Sequence, residues 1–245
     1  AGVKALTMPP TNVSLLPLAT AGGVVYTGTT TIRFNGAPLN NMTVTNNGST
    51  VDRALPANGV IYVKSGAGGC GTPPPPSNAT YAEPISCGNL YVSGTYTSSM
   101  TLASANDIII RPFLSTSNNG DLIGAGNSVL GLIATNFVRV YHRTDASCNN
   151  VSPVMNNVRI DAAILSLKHS FTVDNHDCGA KLNNLTVNGA IAQKYRGAVG
   201  TTGGTGFVKD YNYDDRLRYR SPPFFLDPIA ASWHVIRSNE QVPAR

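Results

Sequence analysis

Asn157-Val158-Arg159-Ile160-Asp161-Ala162 and Asn184-Leu185-Thr186-Val187-Asn188-Gly189 share one pattern: Asn, apolar, variable, apolar, polar, small. Apolar residues at every second position mark a short strand, and Asn and Gly at its ends mark turns. Asn89-Leu90-Tyr91-Val92-Ser93-Gly94 is a third copy, and Asn41-Met42-Thr43-Val44-Thr45-Asn46 a looser fourth. The last two full copies lie 27 residues apart and continue alike, through Ala163-Ile164-Leu165 and Ala190-Ile191-Ala192. A fixed offset of this size predicts one coil of a stacked β-architecture. The expected fold is therefore all-β, a single-stranded β-helix or β-solenoid with long irregular loops.

Short strand patterns recur outward from these copies. They fall at 24–26, 29–34, 42–45, 60–63, 90–92, 100–102, 108–110, 129–133, 137–141, 158–160, 164–167, 171–173, 185–187 and 190–192. A β-sandwich would need longer strands and gives no reason for one pattern to return in the same register. Pro9-Pro10 suggests an extended entrance. The segment 65–84, with four glycines before Pro73-Pro74-Pro75-Pro76, cannot keep a regular ladder and reads as a surface excursion. Residues 197–206 read as a flexible turn region. The predicted organisation is a β-solenoid domain over 1–209 and a capping or packing tail over 210–245. Asp227-Pro228 is a candidate start for a short helix in that tail.

Composition fits this reading. Charged residues make up 13% of the 245, about half the usual share, and 24 glycines serve tight turns. The net charge of +5 gathers late in the chain, where Asp210, Asp214, Asp215 and Asp227 interleave with Arg196, Lys209, Arg216, Arg218 and Arg220. Interleaving argues for local pairing over a phosphate-binding stripe, so no nucleic-acid partner is expected. No apolar run reaches the roughly 18 residues that cross a bilayer. Four cysteines, Cys70, Cys87, Cys148 and Cys178, border irregular sequence and suggest two disulfides. Three pairings are open, with the sequential one preferred. Disulfide-compatible cysteines and low charge together point to an extracellular or cell-surface location.

Chemistry is thinly marked. Asp161 occupies the position of Asn188 in the next copy, which reads as turn chemistry carrying a substitution. Asp174, His176 and Asp177 form a polar group beside Cys178, with Lys168-His169 just before it. They are candidates for a metal or substrate cluster, though an Asx turn beside a disulfide explains the first three. There is no phosphate-binding glycine loop, no His-Glu-x-x-His pair and no nucleophile elbow. No catalytic residue, cofactor site or metal site is assigned, and the sequence favours a non-catalytic role. Asn12, Asn47, Asn78, Asn150 and Asn184 meet the minimal glycosylation pattern. Tyr211, Tyr213, Arg216, Arg218, Tyr219, Phe224, Phe225 and Trp233 are the candidate partner or cap surface.

Three stretches carry a family resemblance: 131–142, Asn188-Gly189-Ala190-Ile191-Ala192-Gln193-Lys194, and Asn212-Tyr213-Asp214-Asp215-Arg216-Leu217-Arg218-Tyr219. Across about 91–237 the chain resembles uncharacterised bacterial surface proteins, chiefly actinobacterial ones with pilin-like anchors. The resemblance implies an exported β-solenoid with a structural, adhesive or filament-associated role and no transferable catalytic residues. The functional expectation is thus a structural or adhesive module of a cell surface or extracellular filament. Its partners would be other proteins or further copies of itself, with a polysaccharide as a further candidate. The alternative is a polysaccharide-binding protein or polysaccharide-active β-helix enzyme.

Overall fold

The computed structural model describes residues 7–70, 84–112 and 120–226. It opens on helix α1 (Leu15–Gly22), followed by β1 (Val24–Thr27), β2 (Thr30–Asn35), β3 (Asn41–Asn46), β4 (Ser49–Ala54) and β5 (Val60–Lys64). Next come β6 (Leu90–Tyr96), β7 (Met100–Ser104), β8 (Ile108–Ile110), β9 (Leu122–Gly124), β10 (Leu130–Ala134) and β11 (Val138–Val140). The last strands are β12 (Val158–Ser166), β13 (Phe171–Val173), β14 (Asn184–Gln193) and β15 (Val208–Tyr213), before a 3-10 turn at Asp215–Arg218.

These strands form one branched, mostly parallel sheet. Its main path runs β1-β5-β7-β10-β12-β9-β6-β2-β3-β4, and β8, β11, β13, β14 and β15 join from the side. The repetitive single-stranded β-solenoid expected from the sequence is not what forms. β12 pairs with β10, β9 and β14, so the sheet branches instead of repeating. An antiparallel arm, β2-β3-β4, extends one end. The two Asn-led copies do lie side by side, from Val158 beside Leu185 to Ser166 beside Gln193. That spacing holds for this pair alone. Elsewhere Val24 lies beside Ile61, Ile61 beside Leu102, and Thr30 beside Leu90.

The antiparallel arm has a local cause. Asn47 (φ 49°) and Gly48 (φ 75°) form a two-residue connection between β3 and β4, and both take the positive φ that such a hairpin demands. Close approach fixes the arm to the rest of the sheet. Gly94 has φ 103°, and a Cβ there would sit 2.1 Å from the Phe34 carbonyl oxygen. Only glycine lets β6 pass β2 at that point.

Two apolar clusters hold the layers together. The larger gathers Ile32, Leu90, Leu102, Ile108, Leu132, Val138, Ile160, Leu185 and their neighbours between the strands. The smaller seats α1, through Leu15 and Ala19, on Val60, Tyr62, Ala103, Ile133 and Leu165. Phe225 and Leu226 pack on this second cluster. The helix was not expected from the sequence, which suggested an extended entrance and placed its only helix after Asp227, outside the described residues. Asn12 pins the α1 end of the chain. Its buried amide donates to the Ser104 and Ile133 carbonyls at 2.7 and 3.1 Å, and Tyr62 donates to its Oδ1 at 3.2 Å. A side chain used in this way cannot carry a glycan.

The disulfides join Cys70 to Cys87 and Cys148 to Cys178. No helix among the described residues is long and apolar enough to cross a membrane.

Candidate functional site

Alternation along β12, β14 and β15 sorts their side chains. Val158, Ile160, Leu185 and Val187 enter the core, which puts Arg159, Asp161, Thr186 and Asn188 on the opposite face. Parallel register then aligns them in rows. Arg159, Thr186 and Asp210 form one, and Asp161, Asn188 and Asn212 the next. Such a face presents neighbouring polar groups one strand spacing apart, about 4.8 Å.

Asp161 organises this face. Its Oδ1 accepts from Arg159 Nε at 2.9 Å and Asn188 Nδ2 at 2.8 Å. Its Oδ2 accepts from Arg159 Nη2 at 2.9 Å and the Gly124 amide at 3.3 Å. Four donors saturate the carboxylate, whose side chain is 5% exposed. It is an anchor, not a free base. Its product is Arg159, a guanidinium locked in a fork yet 51% exposed. The hydrogen bonds that Arg159 donates to Asp161, and then the nearby charges of Asp161 and Asp121, push the Arg159 pKa up. Asp121 lies alongside, and its Oδ1 accepts from the Arg159 amide at 2.8 Å. Among the described residues its second oxygen has no hydrogen-bond partner.

Thr186 donates to Asp210 Oδ2 at 2.8 Å, and Asn212 donates to Asn188 Oδ1 at 3.3 Å, completing a hydrogen-bonded wall beside Arg159. Behind it the Tyr96 hydroxyl donates to the Asp161 carbonyl at 2.6 Å. Burial, reinforced by the Asp161 charge, raises the Tyr96 pKa. Tyr96, Asp161, Asp214 and Leu217 line a void of about 10 Å³, the size of a single water.

A second ionic centre lies in the core. Arg139 on β11 is fully buried, with Nε 3.0 Å from Asp107 Oδ2 and Nη1 3.3 Å from Asp174 Oδ1. Removing one member of such a centre leaves an uncompensated charge and costs about 3–5 kcal/mol. Asp107 also accepts from the Phe137 amide at 2.9 Å, so the centre ties β8 to the start of β11. His142 lies beside it, with Nδ1 3.2 Å from the Asp174 carbonyl oxygen and Nε2 3.0 Å from Asn150 Oδ1.

The polar group suggested by the sequence is taken apart by this arrangement. Asp174 turns into the core toward Arg139, Asp177 is exposed, and His169 stacks on Phe137 at a centroid distance of 4.4 Å in a different turn. Among the described residues no three His, Cys, Asp or Glu side chains gather as a metal site. Asp161, expected as a turn residue, sits inside β12.

The tail residues divide among several places. Arg216 makes a bidentate pair with Asp214, through Nε at 2.9 Å and Nη2 at 2.7 Å, and its Nη1 reaches the Gly126 carbonyl at 3.2 Å. Arg218 lies 3.4 Å from Asp215 and 5.7 Å from the Tyr213 ring. Tyr211 meets Phe171 edge-on at 6.2 Å, and burial pushes its pKa up to about 12. Tyr211 and Tyr213 line an open recess with Val187, Ala190 and Ile191. Phe225 packs against Gly131, where a Cβ would come within 2.5 Å of its ring. Tyr219 and Phe224 are exposed. Trp233 lies outside the described residues.

Comparison with protein-family models, curated proteins and solved structures finds no match. The resemblance to actinobacterial pilin-like surface proteins is therefore corrected, since the compact, branched sheet also differs from an elongated solenoid. The structural, adhesive and filament roles, and the β-helix enzyme and polysaccharide-binding alternatives, lose the architecture from which they were inferred. The secreted and cell-surface descriptions tied to that architecture lose the same support. The preference for a non-catalytic role is corrected too. A parallel sheet holding buried ionic groups and a fixed, half-exposed arginine beside a carboxylate is an arrangement suited to catalysis.

Proposed function

We propose that the chain is an enzyme that binds a small carboxylate-bearing substrate at Arg159 and abstracts a proton from the carbon beside that carboxylate. The observation that carries this reading is the guanidinium fork held by a saturated Asp161 while half of it faces outward. A cation fixed in advance needs no reorganisation when negative charge grows on its partner. Its planar donors suit a carboxylate in two-point contact.

Asp121 supplies the base. The proton passes from carbon to Asp121, and the electron pair moves into the substrate carboxylate, where Arg159 stabilises it. That pair then returns to form the double bond to the next carbon, whose leaving group departs with the electrons of its own broken bond, giving an unsaturated acid. Thr186, Asn188 and Asn212 offer hydrogen bonds to substrate hydroxyls along the same face. The two disulfides suit an oxidising compartment outside the cytoplasm.

The test is a panel of small hydroxy and uronic acids, followed by absorbance of the conjugated acid. Asp121→Asn should lower kcat by about 10²–10⁴ with substrate binding retained. Arg159→Lys should weaken binding and turnover together. Carboxylates that bind without any turnover, or turnover that survives Asp121→Asn, would overturn the reading.

A further inference from the structure

We propose that the corner carrying Lys168, His169 and Lys194 is a binding site for a multivalent oxyanion, either a phosphate group or a ligand carrying several sulfate esters. It is independent of the Arg159 face and uses none of its residues. Three consecutive turns meet at this corner. The Lys168 amide donates to the Thr135 carbonyl at 3.0 Å. The Lys194 and Tyr195 amides both donate to the His169 carbonyl, at 3.0 and 3.3 Å. These backbone bonds hold Lys168, His169 and Lys194 together in adjacent turns, although 24 intervening residues separate His169 from Lys194 in sequence.

His169 is fixed as well as placed. Its ring stacks on Phe137 at 4.4 Å with an interplanar angle of 12°. The aromatic platform holds the imidazole flat, and Phe137 itself contributes no charge. Lys194 extends over the Tyr195 ring at 5.6 Å, which orients its ammonium without neutralising it. Among the described residues neither lysine shares an ion pair with a carboxylate.

The charged groups facing His169 are Lys168 on its own turn and Lys194 at the end of β14. Burial, then these two cations, hold its pKa below the ordinary imidazole value. The corner is thus a place where positive charges have been brought together without compensation. A ligand with two or more negative charges would relieve the repulsion and let His169 take up a proton and donate to it. A monovalent anion would do so far less well.

The experiment follows the His169 ring resonances by NMR as a function of pH in the full chain. One arm contains pyrophosphate, a second a disaccharide bearing several sulfate esters, and a third sodium chloride at matched ionic strength. The expected result is a saturable rise of the His169 pKa in one or both of the first two arms and none in the third. Whichever ligand saturates at the lower concentration identifies whether the ester is phosphate or sulfate. Lys168→Gln with Lys194→Gln should raise the His169 pKa without ligand and weaken anion binding at least tenfold. A rise matched by sodium chloride, or anion binding unaffected in the double variant, would overturn the proposal.

Discussion

At the scale of single residues, ion pairs decide which parts of the chain are rigid. Asp214 illustrates how that depends on pH. Hydrogen bonds from Arg216, foremost its side chain, hold the Asp214 carboxyl below its ordinary range. A carboxyl depressed in the folded state adds stability above its unfolded pKa of about 3.9 and loses it as pH falls through the folded value. The predicted outcome is an acid-unfolding limb that becomes shallower in Asp214→Asn. The side chain of Arg216 is 39% exposed, so solvent screens the pair. At pH 7 the loss should be no more than about 1 kcal/mol. Urea titrations of both proteins between pH 2 and 7 would check this. Equal pH slopes would show that Asp214 is not part of the acid limb.

Among elements, strands were more legible than helices or hairpins. The alternating copies at 157–162 and 184–189 became β12 and β14, longer than expected because each runs on through its following apolar segment. α1 was hidden for a physical reason. Its eight residues, Leu-Leu-Pro-Leu-Ala-Thr-Ala-Gly, show little periodicity, and they are helical because Leu15 and Ala19 meet a waiting apolar surface on β5, β7, β10 and β12. The β3–β4 hairpin did carry a signal. Asn47-Gly48 between alternating residues marks a tight hairpin, but the alternation of 41–46 matches the Asn-led repeat equally well. The Arg159 site was not legible, because the union of Asp121, Gly124, Asp161 and Asn188 arises from register between distant strands.

The β4 strand leads to a prediction of its own. All six of its residues are exposed, and among the described strands it pairs only with β3. An open strand edge recruits other chains unless charge discourages it, and Asp52 and Arg53 lie on this edge. Asp52→Val with Arg53→Val should promote concentration-dependent association, measured by light scattering, with little change in the monomer's circular dichroism. A variant that stays monomeric at the highest soluble concentration would show that these charges do not guard the edge.

For the molecule as a whole, the disulfides restrain irregular chain outside the ladders. Cys148–Cys178 closes a span with a sequence separation of 30 and joins the segments after β11 and β13. Replacing both cysteines by serine should cost about 2–5 kcal/mol, read as a lower denaturant midpoint. A midpoint within experimental error of the parent would show that the ladder alone confines this region.

The pairing of Thr30 with Leu90, and of Val24 with Ile61, means that neighbours in space are remote along the chain. During synthesis β2 would leave the ribosome well before β6 exists to receive it. Until then its outward amides would have to be shielded by solvent, a chaperone or a transient wrong partner. Speed of elongation, as much as final stability, would govern how much of this protein arrives correctly assembled.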